Sequence, residues 1–286
     1  MIKIIESLSW IPYKTAKMFG KRKNDFLILD LEKIGIKKRF KFNTTKTDEG
    51  LSSQLKTFGF REPVNLEYYH KFVEKNDKVL DIGANIGLFT ILSENAKEII
   101  CVEPLKQAIP LLKKNINDNN LMEKTKIINA AVGKKGKLII SVDEQLNLSR
   151  IVSKKTKNSY EVKSMELMDL TKRYDSNLLR MDVEGYEYEI LFEKLPKRIN
   201  KISIEFHTLL LGKEKVSKLL NYLEKEGFKL KYFIEDLPIR LYPFFNILKK
   251  FGFLRRFTYV KRNISINECS KIIGKGRAVK YLFLQR

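Results

Sequence analysis

From residue 77 onward the chain alternates short β-branched runs with helix-like stretches, and this alternation limits the possible folds more than any other feature. KVLDIG (78–83), EIICVEP (98–104), KIINAAVG (126–133), KLIISV (137–142), LLRMDV (178–183) and KISIEFH (201–207) read as strands. Residues 88–95, 105–119, 186–194 and 214–226 have helical spacing and few breakers. Strands separated by helices pair in parallel, with helices on both faces of the sheet, so the chain reads as an α/β protein. The near-continuous apolar character of the strands agrees, because such strands are covered on both sides.

FKLKYFI (228–234) and AVKYLFLQ (278–285) extend the same sheet. Between them lies an unusually long connection, at about 236–276, and long connections in compact domains tend to carry function. A second irregular stretch, 143–163, is polar and rich in Lys and Ser. With 286 residues and 43% hydrophobic content, the chain suits one well-buried domain with extensions.

The two cysteines, Cys101 and Cys269, offer neither a disulfide framework nor a metal-ligand spacing, and read as buried thiols in a reducing compartment. The amino-terminal segment MIKIIESLSWIPYKTAKMFGKRK is interrupted by Glu6, Pro12 and Lys14, short of the ~18 apolar residues a spanning helix needs. The expected location is the cytoplasm, with peripheral contact at the inner face of the membrane.

Charge is distributed unevenly. The formal net charge is +22, yet residues 76–236 carry 28 Lys and Arg against 24 Asp and Glu. Residues 1–75 carry 16 against 9, and residues 237–286 carry 12 against 1. The basicity therefore belongs to the flanks, where it creates a field for an anionic partner.

DIGANIGLF, residues 81–89, follows the first strand of the alternating region and opens a helix. Gly83 and Gly87 permit a tight turn and close approach of a ligand to the backbone. The spacing is D-x-G-x-N-x-G, which differs from the G-x-G-x-x-G that sets a pyrophosphate on a bare helix terminus. Asp81 and Asn85 suit instead a ligand with both an amine and a carboxylate, such as S-adenosylmethionine. Glu103, at the end of the next strand, is placed to hold two ribose hydroxyls.

In LLRMDVEGYEYEIL (178–191) the strand ends at the same sheet edge as the glycine loop. Asp182 and Glu184 point into the cleft, where a carboxylate can orient an acceptor and take its proton. Glu205 and His207 end the following strand and join them as catalytic candidates. Glu187 falls in a first helical turn, where the dipole favours a negative charge, and reads as structural. Glu189 and Glu193 face solvent in this reading. Arg180 in mid-strand pairs with a buried carboxylate, and His70 is structural. No spacing demands a metal, although a carboxylate cluster could hold one.

Taken in order, VLDIGANIGLFT, CVEP, INAAVG, LLRMDVEGYEYEIL and SIEFH resemble the motifs of FkbM-family methyltransferases over roughly residues 60–210. The resemblance implies the class I methyltransferase Rossmann-like fold: a seven-stranded, mostly parallel sheet with an antiparallel last strand. It implies S-adenosylmethionine as donor and usually a hydroxyl acceptor, often on a sugar or a secondary metabolite. Carried over by position, Asp81, Gly83, Asn85, Gly87 and Glu103 bind the donor, while Asp182 and Glu184 line the reacting centre. Glu62 in FREPV resembles the family's acidic position ahead of the first core strand and is counted with the donor-binding residues. The chain departs from the family by Arg180, where lysine is common, and by the basic aromatic insertion at about 236–276. It also lacks the N-P-P-Y type element of many amino-group methyltransferases, which favours oxygen acceptors.

The expected organisation is thus a basic amino-terminal extension over 1–60 and a methyltransferase domain over 61–286. Within the insertion, YPFFNILKKFGFLRRFTYVKR (242–262) sets Phe244, Ile247, Leu248, Phe251 and Leu254 at helical spacing among Lys249, Lys250, Arg255 and Arg256. The first 23 residues have a similar make-up. Such a helix can pack its stripe on the domain, dock on an anionic membrane to reach a lipid-linked glycan, or grip RNA. The expected activity is O-methylation of a saccharide, glycolipid or secondary metabolite. RNA methylation and a non-catalytic donor-binding protein stand as alternatives.

Overall fold

The computed structural model describes residues 14–15, 25–45, 48, 50–251, 253–273 and 279–286. Most of the basic segment over residues 1–23 lies outside them. The first hairpin pairs β1 (Phe26–Asp30) with β2 (Arg39–Asn43) in antiparallel fashion, and α1 (Leu51–Phe58) and α2 (Pro63–Phe72) follow. Alternate residues face inward along both strands, so Leu27, Leu29, Phe40 and Phe42 are buried and Ile28 is exposed. That inner face joins the same core as Val79 and Ile99. Asn115 fastens the hairpin by accepting from the Asn43 backbone N–H at 2.6 Å and donating to the carbonyl of Ile86 at 2.8 Å. The hairpin and α1, which fall within the extension expected over 1–60, are therefore packed into the body of the protein.

The alternating region follows with β3 (Lys78–Ile82), α3 (Leu88–Leu92), β4 (Glu98–Val102), α4 (Ile109–Asp118) and β5 (Thr125–Ile128). A small sheet comes next, built from β6 (Ala131–Val132), β7 (Gly136–Ser141), β8 (Arg150–Val152) and β9 (Ser159–Met165). The main sheet resumes with α5 (Leu167–Tyr174), β10 (Leu178–Met181), α6 (Glu187–Leu191), β11 (Lys201–His207), α7 (Thr208–Lys225) and β12 (Lys229–Glu235). It closes with α8 (Phe245–Lys250), β13 (Tyr259–Arg262), α9 (Ile266–Ile273) and β14 (Val279–Gln285).

The main sheet has the order β13-β12-β14-β11-β10-β3-β4-β5. Strands β3, β4, β5, β10 and β11 are parallel, and β14 runs antiparallel to both β11 and β12. Along β3 and β4, Val79, Ile99 and Cys101 enter one core, whereas Leu80, Ile82, Ile100 and Val102 enter the other. Two buried faces explain the continuous apolar runs. The fold is the expected class I methyltransferase architecture, with eight strands in place of seven. The eighth, β13, comes from the long connection and pairs antiparallel with β12, covering what would otherwise be an open sheet edge.

KLIISV differs from expectation, because β7 pairs antiparallel with β8 and β9 in the small sheet. Its residues are mostly exposed or half-buried, a pattern that suits a sheet with one wet face. The stretch 143–163 is also less irregular than its composition suggests, since it supplies β8 and most of β9.

The apolar stripe of 242–262 is not one continuous helix. A 3-10 segment (Ile239–Phe244) containing Pro243 leads into α8, and a second (Phe253–Arg256) follows. Tyr242, Phe245 and Leu248 are buried, whereas Ile247 and Phe251 are 55% and 62% exposed. No helix among the described residues is long and apolar enough to cross a membrane.

Candidate active site

The sheet order reverses between β3, which leads on to β4 and β5, and β10, which leads on to β11. Ligands of open α/β sheets bind at that switch point, beyond the carboxyl ends of the strands. Here the two loops touch backbone to backbone. Gly83 has φ +78, and a Cβ on it would meet the carbonyl oxygen of Asp182 well inside the 3.0 Å that real Cβ atoms keep. Only glycine fits this position.

A cleft opens beside this contact. Gly83, Asn85, Glu103 and Pro104 form one wall, Asp182, Glu184 and Tyr186 another, and Leu146 and Asn147 lie along it. Asn85, with φ 51, points its N–H at Glu103 Oε2 at 2.7 Å, and the Leu105 N–H reaches Oε1 at 2.8 Å. Burial pushes the Glu103 carboxyl up to about 7, against the pull of those two N–H groups. Each of its oxygens keeps a second acceptor site. A carboxylate so fixed at the end of the second core strand, next to a backbone that accepts no Cβ, fits the ribose of S-adenosylmethionine. Gly83, Asn85 and Glu103 are the residues that would hold it.

Three other residues expected at the donor lie elsewhere. Asp81 sits fully buried beneath the loop, where it accepts from Thr90 Oγ1 at 2.7 Å and from Arg180 at 3.2 Å. Gly87 faces Leu112 of α4. Glu62 meets Arg61 and Asn65, and its N–H donates to the Tyr242 hydroxyl at 2.8 Å. None of these three lines the cleft.

Arg180 does pair with buried carboxylates, as its mid-strand position suggests. It bonds Asp81, the Gly83 carbonyl at 2.9 Å and Asp182 Oδ2 at 3.1 Å, with its guanidinium 4.1 Å from the centre of the Phe89 ring.

On the far side of the cleft, four carboxylates surround one imidazole. His207 Nε2 lies 3.1 Å from Glu184, 3.6 Å from Glu205 and 4.0 Å from Asp182. Its Nδ1 lies 2.7 Å from Glu187, which is fully buried. The carboxylates of the acidic stretch thus collect around a histidine that arrives from the next strand. Burial opposes a charge on His207, but the hydrogen bonds to Glu184 and Glu187 outweigh it and raise the pKa well above the usual value. Glu205 is pushed well up by burial and by the charges of Asp182 and Glu62, and burial likewise raises Glu184. Glu184 also has φ 49, a conformation that costs a non-glycine residue about 1–2 kcal/mol.

The four catalytic candidates from the sequence, Asp182, Glu184, Glu205 and His207, are therefore brought together. Glu187, read from the sequence as a helix-dipole residue, is also the partner that orients the imidazole.

The family model described as the methyltransferase FkbM domain matches residues 81–230, just over half of the chain. The chain belongs to the FkbM methyltransferase family. Residues 81–230 accordingly form a methyltransferase domain of this family. Within this FkbM protein a stretch of 54 residues is 46% identical to the tRNA (guanine(37)-N(1))-methyltransferase Trm5b of Methanocaldococcus jannaschii, covering 19% of this chain and 16% of that enzyme. The crystal structure of the M. jannaschii tRNA m1G37 methyltransferase aligns with a TM-score of 0.43 and 17% identity, over 92% of this chain and 55% of that one. A protein of the NADB-Rossmann superfamily from Streptococcus agalactiae aligns with a TM-score of 0.41 and 11% identity, over 78% and 67%.

Proposed function

We propose that this FkbM methyltransferase methylates a hydroxyl oxygen of a saccharide or glycolipid. One observation carries the reading: Asp182 and Glu184 line the acceptor side of the cleft, and together with the buried Glu205 they gather within 4.0 Å of His207 Nε2. Such a wall accepts hydrogen bonds from hydroxyl groups and repels a phosphodiester. When bound, S-adenosylmethionine supplies an electrophilic methyl group on its sulfonium. The chain's own work is then alignment and removal of one proton. Gly83, Asn85 and Glu103 hold the donor. Asp182, Glu184 and Glu205 orient the acceptor, and one of these carboxylates takes its proton.

The exposed Ile247 and Phe251 beside Lys249 and Lys250 support a membrane-borne acceptor. The segment that carries them leaves the carboxyl end of β12, which points the same way as β11 and so ends at the cleft edge. Exposed apolar side chains next to two lysines suit an anionic bilayer.

The test is transfer of labelled methyl from S-adenosylmethionine to a panel of neutral glycans, lipid-linked glycans and tRNA. Label in a glycan as an alkali-stable methyl ether supports the reading. Label confined to tRNA sinks it, in favour of the acceptor named for Trm5b.

A further inference from the structure

Among the described residues one group of side chains has the donor atoms and spacing of a metal centre: Asp182, Glu205 and His207, whose ligand atoms lie within 4.8 Å of one another. We infer that these three residues form a divalent-cation site at the acceptor side of the cleft, binding through Asp182 Oδ1, Glu205 Oε1 and His207 Nε2.

Several observations independent of the grouping point to a ligand there. The Glu205 side chain is 93% buried, yet it accepts no hydrogen bond from any described residue. Its nearest basic neighbour among the described residues is His207 Nε2 at 3.6 Å, beyond hydrogen-bonding distance. A largely buried carboxylate that no protein group donates to is a costly arrangement, and a bound cation lowers the cost. Asp182 repeats the pattern by halves. Arg180 occupies its Oδ2 at 3.1 Å, while Oδ1, on the His207 side, is buried without a partner.

The histidine is arranged as a ligand is. A metal-binding imidazole usually donates its other N–H to a carboxylate, which fixes both ring and tautomer. Glu187, fully buried, holds Nδ1 at 2.7 Å and leaves Nε2 turned towards Asp182, Glu184 and Glu205. Glu184, at 3.1 Å from Nε2 in this structure, gives up that contact when the ion binds and remains close enough to supply a further oxygen.

Spacing agrees as well. Donors at about 2.1 Å from an ion sit about 3.0 Å apart when adjacent and about 4.2 Å apart when opposite. The observed separations from Nε2, 3.6 and 4.0 Å, fall between those limits. Two carboxylates and one imidazole suit Mn2+ among hard or borderline divalent ions. Asp182 and its neighbour Glu184 line the cleft, so an acceptor hydroxyl that enters there would reach an ion at this site and be held in line for transfer.

The proposal deepens the reading of the acceptor site but is tested without donor or acceptor. Full-length protein is stripped with EDTA, dialysed, and titrated with Mn2+ while free ion is followed by electron paramagnetic resonance and melting temperature by calorimetry. One tight Mn2+ per chain and a rise in melting temperature are expected. Glu205→Gln, nearly isosteric, should weaken Mn2+ binding at least tenfold while melting no lower than the wild type without metal. Asp182→Asn should weaken it similarly. Absence of stoichiometric Mn2+ binding, or binding undiminished in a folded Glu205→Gln, overturns the site. In that event methylation of a glycan by metal-free protein would still uphold the hydroxyl-acceptor reading, with a carboxylate alone as base.

Discussion

The contact between Gly83 and the Asp182 carbonyl makes a sharp prediction, because the fold supplies its own control. Gly83 and Gly59 have nearly the same backbone angle, φ +78 and +79, so alanine suffers similar local strain at either position, about 1–2 kcal/mol. At Gly59, which caps α1, a Cβ finds nothing within 4 Å. Gly59→Ala should therefore cost only the strain, lowering Tm by about 2–4 °C for each kcal/mol. At Gly83 the added atom meets backbone that cannot rotate aside, since the Asp182 N–H is bonded to the Ile82 carbonyl at 3.0 Å. Forced overpacking adds about 1–3 kcal/mol. It also parts the two loops on which the cleft is built. Calorimetry of both variants, with titration of S-adenosylhomocysteine, reads both effects. Gly83→Ala should melt clearly lower than Gly59→Ala and bind the product at least tenfold more weakly. Equal melting temperatures with intact binding would refute the argument that the loop contact shapes the donor site.

Other consequences follow from the same geometry. Glu103 titrates near 7 in the free protein, and ribose hydroxyls donate to its ionised form. Affinity for S-adenosylhomocysteine should rise about tenfold per pH unit up to about 7 and then level off, whereas Glu103→Gln should bind weakly at every pH. Because that carboxyl is raised in the folded state, its contribution to stability is complete below the unfolded value. It declines by about 3 kcal/mol as pH rises towards 7, so the Glu103→Gln melting curve should depend less on pH over that window. Arg180→Ala leaves Asp81 and part of Asp182 without their cation and should cost about 3–5 kcal/mol by denaturant titration; a loss under 1 kcal/mol would show the ion pairs to be dispensable. Phe251→Asp should abolish sedimentation with anionic vesicles at unchanged melting temperature, since that ring is 62% exposed, and undiminished sedimentation would dismiss the patch.

The sequence was most legible where signals are local. The strands at 78, 98, 178 and 201 start at or next to their observed positions, because doubly covered parallel strands advertise themselves as apolar runs. The positions of Asp182, Glu184, Glu205 and His207 followed from strand ends alone. What stayed hidden depends on distant parts of the chain. Glu187 looks like an ordinary first-turn glutamate until the end of β11, 20 residues later, sets His207 against it. Asp81 carries a motif's opening position, yet Arg180, 99 residues away, and Thr90 occupy its carboxylate. The fate of the aromatic stripe at 242–262 was equally undecidable locally. Tyr242 is drawn inward by the Glu62 N–H and by Phe60, a contact that no helical spacing encodes.

The reversal of strand order between β3 and β10 also divides labour along the sheet. In the proposed reading, loops after β3 and β4 hold the donor, while loops after β10, β11 and β12 meet the acceptor. Since the two groups adjoin through a backbone contact at Gly83 and Asp182, substitutions on the second flank can alter acceptor choice while the first stays fixed. On that reading the protein is a constant handle joined to an exchangeable tool, and the segment that adds β13 belongs to the tool.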